Sequence, residues 1–281
     1  MMLNMKRTND RVGNQRRRFV HSMACAFTRT DLICVLALVA MLLGLAGFRL
    51  TGERGRIARC AGNLQKLGTA MHQFASEHED GLPAATIVPG GLEWDVRLKP
   101  YLRPDLVVAN SAYAKRELGE AVAPIYACPS DRIARAKPRS YAMSHCDVVN
   151  VGWPVNADSA TGLGIWWGQD SIKGVLGDAA WTKAKQDPDS LPKVKLSMIS
   201  EPANTLLLTE LIRHDNTLGN IYWTFAKNAG EQYEKPKADA TPFHNGRFNY
   251  LMVDGHVEWL TGLQTGGIGG TSGIWTIRKG D

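Results

Sequence analysis

Cysteine is scarce in this chain, and none of it is spaced for a metal. Five cysteines occur among 281 residues, with no C-x-x-C pair, which excludes a densely disulfide-bonded scaffold and a zinc ribbon or finger. G-x-S-x-G, H-E-x-x-H and the phosphate-cradling P-loop are also lacking, so no nucleophile elbow, zincin helix or nucleotide site is written in the chain. No D-x-D-x-D run marks a calcium loop. No basic stripe with interleaved aromatics follows the N-terminal leader, which argues against nucleic acid as a partner.

The formal net charge of +6 has another origin. Lys6, Arg7, Arg11, Arg16, Arg17, Arg18 and Arg29 crowd the start, against Asp10 alone until Asp31, and the remainder is close to neutral. Leu32 to Phe48 then runs as about 17 apolar residues, near the lower limit for a spanning helix. Positive charge before such a run stays cytoplasmic. The expected topology is single-pass in the inner (cytoplasmic) membrane, N-terminus cytoplasmic and the rest periplasmic or extracytoplasmic. The expected organisation is a basic leader over 1–26, a transmembrane then amphipathic helix over 27–81, and an exported α+β head over 82–281.

Helical periodicity is strong after Gly55. Ile57, Cys60, Leu64, Leu67, Met71, Phe74 and His78 form a seam of three- and four-residue steps, and Gly81 and Pro83 end it. Joined to the apolar run this predicts one helix of about 50 residues, roughly 75 Å long, packed on an antiparallel sheet. Further along, Glu93–Tyr101 and Tyr113–Glu120 read as short helices, and Tyr126–Asp131 as a strand end entering a turn. Arg139–Met143 and Thr205–Glu210 read as strands, and Lys227–Ala240 as a surface loop. Gly152–Gly177, with Trp153, Trp166 and Trp167, reads as an aromatic loop, a packing element or a surface for glycans or partners. Phe248–Leu260 is the clearest hairpin. A two-residue Asp254-Gly255 turn sets Met252 opposite Val257 and Tyr250 opposite Trp259, giving one apolar core face with Phe248. Gly273–Ile277 reads as a last edge strand.

Candidate chemistry is thin. His244, Asp254 and His256 form the alternative metal site, against a structural role in which Asp254 makes the turn and His244 bonds across strand ends. Glu210, His214 and Asp215 make a second, weaker cluster. In an exported head Cys60, Cys128 and Cys146 meet oxidising conditions. The spacing does not choose among them; Cys60 with Cys128 is favoured, with free buried thiols as the alternative.

Ala26, Phe27-Thr28 and Asp31, followed by the apolar run, resemble the type IV prepilins and the pseudopilins of type II secretion. That signature has a small residue before the cleavage point, Phe-Thr after it and an acid at the fifth mature position. Here Ala stands for Gly, Asp for Glu, and Arg29 where the class is apolar. The resemblance implies cleavage by a prepilin peptidase between Ala26 and Phe27 and N-methylation of Phe27. It also implies pairing of Asp31 with a neighbouring subunit's amino terminus, which offsets the cost of a carboxylate in an apolar segment. Later landmarks extend it. His244, nine intervening residues and Asp254-Gly255 resemble the H-X9-DG prepilin-like family (DUF1559, planctomycete type). Cys60-Ala61-Gly62-Asn63-Leu64, Cys128-Pro129-Ser130-Asp131, Ser140-Tyr141-Ala142 and Glu201-Pro202-Ala203-Asn204-Thr205 agree with it. The resemblance implies a pilin-like, membrane-anchored accessory or structural subunit of a type II secretion or type IV pilus-like assembly. Its partners would be other pilin-like subunits and inner-membrane lipid; it implies no enzyme activity and no cofactor. The rival expectation is a membrane-tethered solute- or glycan-binding protein that does not polymerise, and a third is a metal-dependent hydrolase on His244, Asp254 and His256.

Overall fold

The computed structural model describes residues 29–103, 124–232, 243–266 and 272–280. Ala26, Phe27, the Tyr113–Glu120 helix and most of the Lys227–Ala240 loop lie outside the described residues. The chain divides into two compact units, Met1–Arg49 and Leu50–Asp281.

The single long helix is corrected to two. Helix α1 spans Arg29–Thr51 and α2 spans Glu53–Glu77. Gly52 between them is extended, with φ −73° and ψ 175°. Glycine is a poor helix interior residue, and Glu53 then begins a fresh helix as its first-turn acid, where the amide dipoles favour negative charge. In α1, Asp31 sits in the first turn, and the large apolar side chains from Leu32 to Leu43 are exposed. Among the described residues no helix is long and apolar enough to cross a membrane.

The seam of α2 is buried as its period requires: Cys60, Leu64, Leu67, Met71 and Phe74 are all 2 % exposed or less. It packs on a sheet that is mixed, which corrects the antiparallel expectation. The strand order is β2-β1-β4-β3-β5-β7-β8, with β6 also on β3. The strands are β1 Thr86–Ile87, β2 Leu92–Glu93, β3 Tyr141–Cys146, β4 Gly164–Trp167, β5 Leu206–Glu210, β6 Phe225–Ala226, β7 Phe248–Met252 and β8 Val257–Leu260. β4 runs parallel to both β1 and β3, and β6 parallel to β3. Long excursions permit this, because a parallel return needs a crossover where a hairpin would give an antiparallel one. Residues 147–163, containing α4 (Val148–Val151), carry the chain from β3 to β4.

The excursions also hold α3 (Trp94–Leu102), α5 (Gln169–Leu176) and α6 (Asp178–Gln186). The expected aromatic loop therefore contains strand β4 and helix α5. Trp167 is fully buried and meets Trp153 edge to face with ring centroids 6.2 Å apart, so these rings pack the head. Residues 124–126 are helical where a strand end was expected, and Gly273–Trp275 is a 3-10 turn where an edge strand was expected.

The hairpin forms with a different register. Leu251 faces Val257, Tyr250 faces Glu258 and Asn249 faces Trp259, one residue from the two-residue-turn prediction. Val253 joins Asp254 and Gly255 in the loop, with Met252 N–H donating to His256 O and Gly255 N–H to Met252 O. Gly255 has φ +94°, so the left-handed position sits at the end of a longer loop. Every residue of β7 is buried. Leu251 and Val253 join the large core beneath α2, while Phe248, Tyr250 and Met252 join a second cluster with Leu206, Leu211 and Trp275. The face expected to be core is therefore one of two, and it keeps only its β7 half: the shifted register sends Val257 to the other cluster and leaves Trp259 40 % exposed.

Candidate functional site

The first turn of α2, the turn after residue 126, the end of β5 and the start of β7 meet at one buried point. Cys60 and Cys128 are joined there by a disulfide; among the described residues Cys146 is a buried free thiol and Cys34 an exposed one. Against the S–S bond lies His244, 1 % exposed, with its Nε2 3.4 Å from Cys128 Sγ. The same Nε2 is 3.0 Å from Glu210 Oε1, and Nδ1 is 2.9 Å from Glu53 Oε1.

The neighbours hold both carboxylates. Asn249 N–H donates to Glu210 Oε2 at 2.7 Å, and Asn249 Nδ2 donates to Oε1 at 3.0 Å. Glu53 accepts from Arg56 Nε and Ser130 Oγ, each at 2.9 Å. Burial opposes charge on His244, but the hydrogen bonds and charges of Glu210 and Glu53 outweigh it, and its pKa is raised above the ordinary imidazole value. Burial likewise pushes Glu53 up, yet hydrogen bonds from His244, Arg56 and Ser130 prevail and its pKa falls to about 2. The arrangement is an imidazole ring clasped between two carboxyl groups, one on each nitrogen, beside a disulfide.

His244 reaches this place through an unusual backbone. His244 and Asn245 both have positive φ, 45° and 59°. For residues bearing a Cβ this region is sparsely populated, and such strain collects where the surroundings over-determine a side chain's position.

The short motifs have local reasons in this geometry. In Cys60-Ala61-Gly62-Asn63-Leu64, Cys60 supplies the disulfide and Asn63 Nδ2 donates to Ala127 O at 3.2 Å. In the Cys128–Asp131 turn, Ser130 bonds Glu53 and Asp131 accepts from Ser140 Oγ at 2.6 Å. Ser140 Oγ in turn accepts from Cys128 N–H at 3.0 Å. In the Glu201–Thr205 segment, Pro202 O accepts from Asp254 N–H and Thr205 O from Val253 N–H, docking the hairpin loop.

The proposed trio of His244, Asp254 and His256 does not come together. Asp254 and His256 pair with each other at 2.6 Å on the exposed hairpin loop, whereas His244 is committed to Glu53 and Glu210. Glu210, His214 and Asp215 also separate: Glu210 is buried in β5, His214 is exposed, and Asp215 lies 3.4 Å from Arg213. Among the described residues, the group whose atoms could hold a metal is Cys60, Cys128, Glu210 and His244, with one donor atom of each within 4.8 Å of the others. The sequence singled out Cys60, Cys128, His244 and Glu210, each in a different context; it offered no sign of Glu53 or Asn249.

A second buried polar assembly braces the head. Arg139 and Asp95, both fully buried, pair at 2.7 Å. Arg139 also donates to Asn216 Oδ1, Asn220 O and Tyr222 O. Its role is to tie the 216–222 loop to β3 and α3, because a buried guanidinium needs acceptors for its donors.

No family model, no curated protein and no solved structure matches the chain.

Proposed function

We propose that this chain is a membrane-anchored, prepilin-like accessory or structural subunit acting by assembly rather than by catalysis. The observation that carries the reading is a contrast within the chain. The apolar side chains of α2 are taken up by the head core, whereas those from Leu32 to Leu43 of α1 are exposed. Exposed apolar area of that extent marks a segment that is covered by lipid or by another chain. Lipid of the inner membrane and the equivalent segments of other pilin-like subunits are the proposed covers, with Asp31 meeting a neighbour's amino terminus. The disulfide fits a head outside the cytoplasm, where such bonds persist. The ordered motifs from Cys60 to Gly255 agree with the H-X9-DG resemblance.

Mass mapping of the N-terminus of membrane-extracted protein tests the proposal. A mature chain beginning at methylated Phe27, with cross-links between neighbouring chains through segment 29–51, is the expected result. An intact Ala26–Phe27 bond in a monomeric tethered protein would overturn it in favour of a binding protein that never polymerises.

A further inference from the structure

The geometry points to a redox-gated zinc site: with the Cys60–Cys128 disulfide reduced, Cys60, Cys128, His244 and Glu210 bind one Zn2+. This goes beyond the assembly role and does not depend on it.

The donor set is the argument. Two thiolates, one imidazole and one carboxylate are ligands that zinc takes in tetrahedral sites. Tetrahedral bonds of 2.0–2.3 Å place donor atoms about 3.3–3.8 Å apart. Cys128 Sγ and His244 Nε2 already stand 3.4 Å apart, and His244 Nε2 and Glu210 Oε1 3.0 Å apart. All four residues are buried, so the site is closed, as structural zinc sites are.

The surrounding groups suit a metal ligand as well as an ion pair. Glu53 Oε1 lies against His244 Nδ1 at 2.9 Å. That carboxylate keeps the proton on Nδ1 and leaves the Nε2 lone pair for the metal, the arrangement that orients ligating histidines. Asn249 holds both oxygens of Glu210. In the disulfide form Nε2 and Glu210 Oε1 face each other across the point where the cation would sit. The strained backbone at His244 holds the ring at the sulfurs in either state.

The chemistry balances. A dithiol reductant delivers two electrons and two protons to the S–S bond, giving two thiols and becoming a disulfide itself. Zinc binding then releases both thiol protons, and any proton carried on Nε2, to solvent. Oxidation by a disulfide-bearing oxidant reverses the sequence and expels the ion.

The test uses the full chain in detergent, with and without a phosphine reductant, titrated with Co2+ and then Zn2+. The reduced protein should bind one ion per chain, with tetrahedral ligand-field bands and thiolate-to-cobalt charge transfer that Zn2+ abolishes. The oxidised protein should bind none. Cys60→Ser should remove much of the charge-transfer band, and Glu53→Gln should weaken binding about 10- to 100-fold, as loss of an outer carboxylate does. Cys34→Ser should change nothing. Absence of a bound ion in the reduced wild-type chain overturns the proposal, as does equal binding by the oxidised chain. These outcomes need no variant to fold, and neither bears on N-terminal processing or cross-linking.

Discussion

His244 Nδ1 lies 2.9 Å from Glu53 Oε1, joining residues 191 positions apart in the chain. Through that contact the first turn of the head's long helix is locked to the segment entering β7. Glu210, on the other ring nitrogen, ties the same point to β5.

Replacing His244 with Gln should destabilise the head by about 3 kcal/mol, because truncating a buried pair strands the remaining charge. Glu53→Gln should lose less, since its side chain is 29 % exposed and solvent screens it. In a double-mutant cycle followed by urea denaturation, the pair should couple with the double variant less unstable than the sum. Strict additivity would show that the contact does not carry the stability.

Arg139→Met should unfold the head at markedly lower denaturant, with a loss of about 3–5 kcal/mol, since Asp95 would be left charged in a dry site. Amide exchange should also speed up in the 216–222 loop, whose carbonyls at Asn220 and Tyr222 lose their donor. A surface-like response below about 1 kcal/mol would contradict the buried ion pair.

His145 sets a pH dependence. Burial is the main cause of its depressed pKa, about 4 against 6.5, with Lys227 also lowering it and Asp147 opposing; the ring stacks on Phe225 at 4.2 Å. The unfolded chain binds the proton more readily between those values, so its contribution is full above pH 6.5 and is lost as pH falls toward 4. The span corresponds to about 3 kcal/mol at most. Denaturation midpoints at pH 7 and 5 should converge in His145→Gln relative to wild type; an unchanged difference would remove His145 as the cause.

Reducing the disulfide in the presence of a chelator should lower stability by about 4 kcal/mol, the loop entropy for a sequence separation of 68. The Cys60→Ser, Cys128→Ser double variant should match it. Added Zn2+ should restore part of the loss in the reduced wild type and none in the double variant, read as the thermal midpoint.

Gly68→Ala sets two effects against each other. A helix-interior alanine gains about 1 kcal/mol over glycine, but its Cβ would stand 2.8 Å from Leu251 Cδ2 in the core. Overpacking of that kind costs about 1–3 kcal/mol, so the variant should melt lower; a higher midpoint would mean that Leu251 moves aside without strain.

What the chain alone determined was local. The seam from Cys60 to Phe74 declares α2 because each apolar residue lies one helical turn from the next, and the burial follows that period. The hairpin is declared by Asp254-Gly255 between two apolar strands, yet its register is off by one residue. Nothing local distinguishes a two-residue turn from a loop that also takes Val253, whose N–H is held by Thr205. Alternation in β7 predicted the core face of Phe248, Tyr250 and Met252; the second, Leu251 with Val253, was hidden because its cover is α2, far away in the chain.

Tertiary structure decided the parallel pairing of β4 and the company His244 keeps, whereas the break at Gly52 is local. Glu53 lies in a helix, Glu210 in a strand and Cys128 in a turn, and each looks ordinary where it stands. Ion pairing and sulfur contact act over a few ångströms of space, and only the folded backbone brings those positions within that range.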